Sequence, residues 1–285
     1  MRVFRGLDNL SEVPRSASLV LGNFDGVHRG HAALIGNALA PAPVGIVTFA
    51  PHPRLLTQPG QPPFLLTPGD EKYVALGALG VRFCVELAFT RQFASLSAEE
   101  FVSDVLVGRL HVGRVVCGHN FRFGAARKGD VALLRRLGAQ FGFSVESVGP
   151  VLDANGNAYS SSRIRNCLSA GDVAGATTIL GRPWTIKARL QRDVLARASR
   201  GYFHFGPYLK PLPGRYNAHI RVEGRGVLAA ELVVSEVEHA GWLEFPRQVA
   251  LRPEENIELE LIGLVAPLVL PEWGAEAELG NACYI

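Results

Sequence analysis

The chain has 285 residues, 48% of them hydrophobic and 19% charged, with a formal net charge of +3. That length supports one large domain or two ordinary ones, and the apolar content suits packed globular cores rather than disorder. No apolar stretch is long enough to span a bilayer, and so small a charge excess lacks the dense basic stripe of a nucleic-acid binder. Met1-Arg2-Val3-Phe4-Arg5-Gly6 carries no apolar signal-peptide core, so a cytoplasmic location is expected. Cys84, Cys117, Cys167 and Cys283 show no C-x-x-C spacing and point to neither a zinc site nor a disulfide framework.

In chain order, Ala17 to Leu21 reads as a buried strand entering a helix that begins near Ala32. Strands follow at Pro43 to Phe49, Val81 to Phe89, Arg114 to Gly118 and Phe143 to Val148. Helical patterns lie between them at Glu71 to Leu79, Ser97 to Leu110 and Asp130 to Phe141, with Ser97 and Glu100 spaced as a capping box. This alternation predicts a parallel sheet covered by helices. The connection from Ala50 to Gly69 holds six prolines, a composition typical of functional lids and of disordered segments. From Trp184 onward Tyr216 to Val222, Val227 to Val234 and Ile257 to Leu264 alternate and clear helices are scarce, which predicts a small antiparallel β-barrel. The junction is placed near Arg182-Pro183, dividing the chain into 1–183 and 184–285.

Two segments point to phosphate chemistry. In Gly22-Asn23-Phe24-Asp25-Gly26-Val27-His28-Arg29-Gly30-His31, histidines flank a glycine where the first strand passes into a helix. A helix N-terminus offers unpaired N–H groups and positive potential, and glycine lets phosphate approach. The plain alternative is that both histidines decorate a turn. Tyr159-Ser160-Ser161-Ser162-Arg163-Ile164-Arg165 opens a second helical segment, where a hydroxyl either caps the helix or meets phosphate, and Arg165 falls one turn beyond Ser161. Together these termini could grip one triphosphate from two sides. A phosphate-monoester acceptor is already anionic at neutral pH, so such a site needs alignment and charge stabilisation rather than an activated Ser or Cys.

The decapeptide resembles the HxGH signature of class I nucleotidyltransferases, and its G-N-F-D-G-V-H-x-G-H form is most similar to the bacterial FAD synthetases, usually fused to riboflavin kinase. The second segment resembles that family's S-S-T-x-I-R, with Ser162 in place of threonine. Gly118-His119-Asn120-Phe121-Arg122-Phe123-Gly124 with Lys128-Gly129-Asp130 resembles its G-x-N/D-F-x-F-G-x-x-x-x-G-D element. The resemblance covers roughly residues 15 to 184 and implies a Rossmann-like HxGH nucleotidyltransferase domain that uses ATP, FMN and Mg²⁺ to make FAD. It casts His28, His31 and Arg165 as catalytic, and Gly22, Asn23, Phe24, Asp25, Gly30, Ser161 and Ser162 as binding ATP phosphate. Asn120, Phe121 and Arg122 are cast as binding flavin, although aromatics beside glycine at a strand end also serve core packing. Two positions stay open: His52, in Thr48-Phe49-Ala50-Pro51-His52-Pro53, meets phosphate or lies in solvent, and Asp25 orients a histidine, approaches the metal or holds the turn.

Beyond residue 184 the resemblance breaks. The family's riboflavin kinase half carries G-F/Y-P-T-A-N, whereas the nearest segment here is Gly201-Tyr202-Phe203-His204-Phe205-Gly206. The kinase glutamate has no clear counterpart among Glu231, Glu236 and Glu238. Leu212-Pro213-Gly214-Arg215-Tyr216 still resembles the start of the next barrel strand, which implies a retained barrel without kinase residues and with no identified protein partner. The expectation is FMN adenylylation without riboflavin phosphorylation, its alternatives being a bifunctional enzyme and a non-catalytic flavin-nucleotide sensor.

Overall fold

Apolar runs too short for helices, such as Ser18-Leu19-Val20-Leu21 with every residue buried, pair into a sheet covered on both faces. The computed structural model describes residues 1–8, 10–39, 42–191, 200–222, 224–245 and 254–268, so Cys283 lies outside the described residues. Strands β1 (Arg2–Arg5), β2 (Ser18–Leu21), β3 (Val44–Ala50), β4 (Phe83–Ala88), β5 (Arg114–Gly118) and β6 (Ser144–Val148) form a parallel sheet in the order β1-β4-β3-β2-β5-β6. From β2 the chain runs outward through β3 and β4, then returns to β5 on the other side of β2. The carboxyl ends of β2 and β5 therefore form the topological switch point, where open α/β sheets bind ligands. Strand β1 was not expected: it is a half-exposed edge strand in which two arginines flank two apolar residues, too short for a readable alternation.

The helices are α1 (Arg29–Ala38), α2 (Pro53–Thr57), α3 (Glu71–Ala78), α4 (Arg91–Ala94), α5 (Ala98–Glu100, continued by a π-helical run Phe101–Arg109), α6 (Val131–Phe141), α7 (Ser161–Ser169) and α8 (Val173–Leu180). The Ser97–Glu100 capping box forms as expected, but the following segment closes on wider hydrogen bonds, such as Leu110 N to Val105 O at 3.0 Å. Helix α1 begins three residues before the expected start because its cap is His28 rather than one of the usual capping residues. Helix α2 arises inside the proline-rich connection, where Pro53 presets the first helical turn. One face of the sheet packs on the π-helical run and α6 through Leu19, Leu21, Val115 and Leu134; the other packs on α1 and α3 through Val20, Ile35, Ile46 and Leu76.

A second, antiparallel sheet comprises β7 (Thr185–Arg189), β8 (Arg200–His204), β9 (Gly214–Val222), β10 (Gly226–Val234), β11 (Ala240–Glu244) and β12 (Asn256–Pro267), in the order β7-β12-β9-β10-β11-β8. A bridge between Gln191 and Tyr202 brings its two edges together, so the expected barrel is nearly closed. Strand β9 buries every second residue, with Tyr216, Ala218, Ile220 and Val222 facing inward. The barrel core extends across the junction expected at residue 183: Ile164 and Leu168 of α7, Ile179 of α8 and Leu66 share one cluster with Trp184, Phe203 and Tyr216. Trp184, 1% exposed, donates its indole N–H to the Leu66 carbonyl at 2.9 Å. No helix among the described residues is long and apolar enough to cross a membrane.

Candidate active site

The turn leaving β2 is shaped from within. Phe24 adopts φ 52° and is 0% exposed, its ring centroid 5.1 Å from that of His31. Its side chain therefore belongs to the core under the turn, and only its backbone is left to face a phosphate. Gly22 admits that ring, since a Cβ there would come within 3.2 Å of it. Val27, a buried β-branched residue at φ 43°, marks a backbone held in a costly conformation by its surroundings.

His28 and His31 form a reciprocal cap at the start of α1. The His28 Nδ1 accepts from the His31 N–H, the His31 Nδ1 accepts from the His28 N–H, both at 3.3 Å, and the rings stack with centroids 3.7 Å apart. With both Nδ1 atoms accepting, each neutral ring carries its proton on Nε2. Burial, with Arg165 and Arg182 adding to it, pulls the His28 pKa down to about 4. Burial, then His28 and Arg182, holds His31 well below its ordinary value. Both imidazoles are therefore neutral N–H donors at physiological pH. Gly30 between them leaves little room: a Cβ would lie 3.0 Å from the His28 ring and 3.1 Å from the Tyr159 carbonyl oxygen, so an added methyl displaces these neighbours by a few tenths of an ångström.

That approach to Tyr159 brings the α7 N-terminus beside that of α1. Ser160, rather than Ser161, caps α7 by accepting from the Arg163 N–H at 3.2 Å. Ser161 donates its hydroxyl to the Asp25 carbonyl at 2.7 Å, which ties α7 to the histidine turn, while Ser162 is exposed. Asp25 is buried and its carboxylate is committed: Oδ1 accepts from the backbone N–H groups of Leu66 (2.9 Å) and Thr67 (3.1 Å), and Oδ2 from the Arg165 guanidinium at 2.5 Å. Of the readings left open, these bonds match the one in which Asp25 holds the turn. Arg165 also donates Nε to the Phe64 carbonyl at 2.9 Å, so one terminal nitrogen remains for a ligand.

Two residues that fix this turn received no role from the sequence. Arg182 donates to the carbonyls of Val27 (2.9 Å) and Gly26 (2.8 Å), and the Thr67 hydroxyl accepts from the Gly26 N–H at 2.8 Å. Both join the turn across more than forty residues of chain, leaving no local spacing to read.

At the switch point a cavity of about 690 Å³ opens beside Gly22, Asn23 and Asn120. Its walls include Phe49, Phe93 and Phe121, and Phe121 stacks on Phe123 with centroids 5.6 Å apart. Arg122 lines the cavity and lies 3.5 Å from the Asp130 carboxylate. A smaller cavity of about 320 Å³ shares Asn23, Phe49 and His52 with the first and is lined further by Asp25, Thr67 and Lys72. His52 caps α2, its Nδ1 accepting from the Arg54 N–H at 3.1 Å, and burial draws its pKa to about 4, so it stands as a neutral partition between the cavities. Among the described residues no three His, Cys, Asp or Glu side chains come together as a metal cage, and Asp25 is already engaged.

Comparison with known proteins aligns with this geometry. The FAD synthetase family profile matches residues 10–163. The Escherichia coli K12 bifunctional riboflavin kinase/FMN adenylyltransferase is 38% identical over 196 residues, covering 67% of this chain and 62% of that one, so the match spans less than two-thirds of that relative's length. A Listeria monocytogenes FAD synthetase is 38% identical over 177 residues, covering 60% of this chain and 71% of that one. Among solved structures, a Streptococcus pneumoniae protein described as a macrolide-efflux protein superposes with a TM-score of 0.80 at 22% identity, covering 95% of this chain and 93% of that one, and shares the two-part fold.

Proposed function

The chain belongs to the FAD synthetase family, and from that premise we propose that it transfers the adenylyl group of ATP to flavin mononucleotide, releasing pyrophosphate and FAD. The observation that carries this reading is the junction of two helix N-termini, one bearing neutral His28 and His31, the other tied to it through Ser161 and Asp25, on a turn whose first residues, Gly22 and Asn23, line an aromatic cavity. A phosphate oxygen of the flavin nucleotide attacks the α-phosphorus; the new P–O bond forms as the bond from the α-phosphorus to the bridging oxygen breaks, and that electron pair leaves with pyrophosphate. The acceptor is already anionic, so no side chain must remove a proton. The imidazole Nε2–H groups, the helix N-termini and the remaining Arg165 nitrogen stabilise charge developing on the phosphates. A site built from turns fixed by Asp25, Arg182 and Thr67 supplies alignment before substrate arrives. Gly22, Asn23, Gly30 and Ser162 border the phosphate path, and Asn120, Phe121 and Arg122 face the isoalloxazine. Magnesium bound with ATP would add to this charge stabilisation on the phosphates.

The barrel half supports a narrower statement. Residues 201 to 206 lie on and just after β8, and His204 and Gly206 stand where the family's kinase half carries threonine and asparagine. The proposed activity is thus adenylylation without riboflavin phosphorylation. Incubation with ATP, Mg²⁺ and either FMN or riboflavin, followed by chromatography, tests both parts. FAD and pyrophosphate are expected from FMN, and no product from riboflavin. Tight FMN binding without turnover overturns the transferase reading, and FMN or FAD formed from riboflavin overturns the narrower one.

A further inference from the structure

Lys72 occupies the first turn of α3, where an ammonium opposes the helix dipole, and its side chain enters the smaller cavity rather than open solvent. Each carboxylate lining that cavity has a partner other than Lys72. Asp25 is paired with Arg165, Asp70 lies 3.3 Å from Arg5, and Glu86 accepts from the Tyr73 hydroxyl and lies 3.6 Å from Arg5. Among the described residues Lys72 makes no ion pair; its ammonium donates to the Thr48 hydroxyl at 3.4 Å. Thr48 in turn donates to the Asn23 carbonyl at 3.2 Å, so Lys72 stands two hydrogen bonds from the turn that leads to the histidines. Burial disfavours its charge and lowers its pKa, an expense that an arriving anion would reverse.

Resting on the transferase reading above, we propose that Lys72 is a further binding residue of this site, its ammonium holding the phosphate of the acceptor flavin nucleotide where the smaller cavity opens into the aromatic one. The geometry assigns the acceptor rather than ATP. The cavities join at Asn23, Phe49 and His52, beside the aromatic wall, whereas the triphosphate has the termini of α1 and α7. Lys72, whose ammonium lies 5.5 Å from the Tyr73 ring centroid, is the cavity's cation without an ion pair among the described residues, and the flavin's phosphate is the charge that distinguishes FMN from riboflavin.

The test is the ratio of FMN to riboflavin dissociation constants, read by flavin fluorescence on one preparation, in wild type, Lys72→Gln and Lys72→Arg. Loss of a hydrogen bond to a charged group predicts FMN binding weakened ~10- to 100-fold in Lys72→Gln. Riboflavin binding and the KM for ATP stay unchanged, and Lys72→Arg retains most of the preference. Because both flavins are measured on the same sample, a partly unfolded variant does not alter the ratio. Equal weakening of both flavins, an unchanged ratio, or a shift confined to ATP overturns the assignment while wild-type FAD formation stands. A wild-type protein that neither binds FMN nor forms FAD overturns the transferase reading, and this proposal with it.

Discussion

Replacing Asp25 by asparagine removes a charge without removing bulk. The Asn Oδ1 can still accept from Leu66 and Thr67, but its amide then meets the Arg165 guanidinium donor to donor. The Asp25 and Arg165 side chains are 5% and 15% exposed. Breaking a buried pair from one side costs about 3–5 kcal/mol, because the remaining charge stays buried. Arg165 keeps the Phe64 carbonyl and some access to water, which places the loss near the lower end, ~3 kcal/mol. In urea this lowers the unfolding midpoint by about 1 M. The double variant Asp25→Asn/Arg165→Met discards both charges and is expected to recover most of the loss, giving a strongly non-additive cycle. A single-variant loss below ~1 kcal/mol, or an additive cycle, refutes the claim that this pair holds the histidine turn to the 64–67 segment.

Acid should destabilise the protein in a window set by its buried histidines. His28 and His52 have folded pKa values of about 4 against an ordinary 6.5, so the unfolded chain binds protons that the native state refuses. The stabilisation is complete above pH 6.5 and is lost as pH falls toward 4; at pH 5 each histidine costs about 2 kcal/mol. Chemical denaturation at pH 7 and pH 5 should show that slope, and His28→Gln should reduce it; equal slopes in both proteins would contradict the burial argument. Gly30→Ala should leave thermal stability nearly unchanged, because a helix-propensity gain of up to ~1 kcal/mol offsets a weakened cap of similar size. FAD formation should nevertheless fall about 100-fold as the His28 ring and α7 are displaced. Wild-type turnover by this variant would show that the ring can shift without consequence.

The strands and helices that order the site were readable where a single segment carries its own signal. Leu19, Val20 and Leu21 announce a strand covered on both faces, Ser97 and Glu100 announce a helix start, and β9 alternates so cleanly that its inward residues follow from periodicity. The reciprocal His28–His31 cap was not readable, because histidine is an uncommon capping residue and its ring nitrogens commit only once the backbone turns. Strands β7, β8 and β11 were not among the runs named from the sequence; each has five residues, against nine to twelve in the alternating strands β9, β10 and β12.

The sequence alone determined that a glycine-spaced histidine pair and a serine-arginine segment stand at helix N-termini in a two-part chain, because spacing and helix-start chemistry are local properties. Only the tertiary structure decided which motif residues are committed to holding the fold. Phe24 turns inward at a positive φ, Asp25 closes on Arg165, 140 residues away, and Ser161 spends its hydroxyl on a carbonyl of the opposite turn. Those commitments depend on backbone groups and charges brought together from distant segments. A carboxylate or hydroxyl that looks free in the sequence acquires its partner only when burial leaves it no water to bond instead.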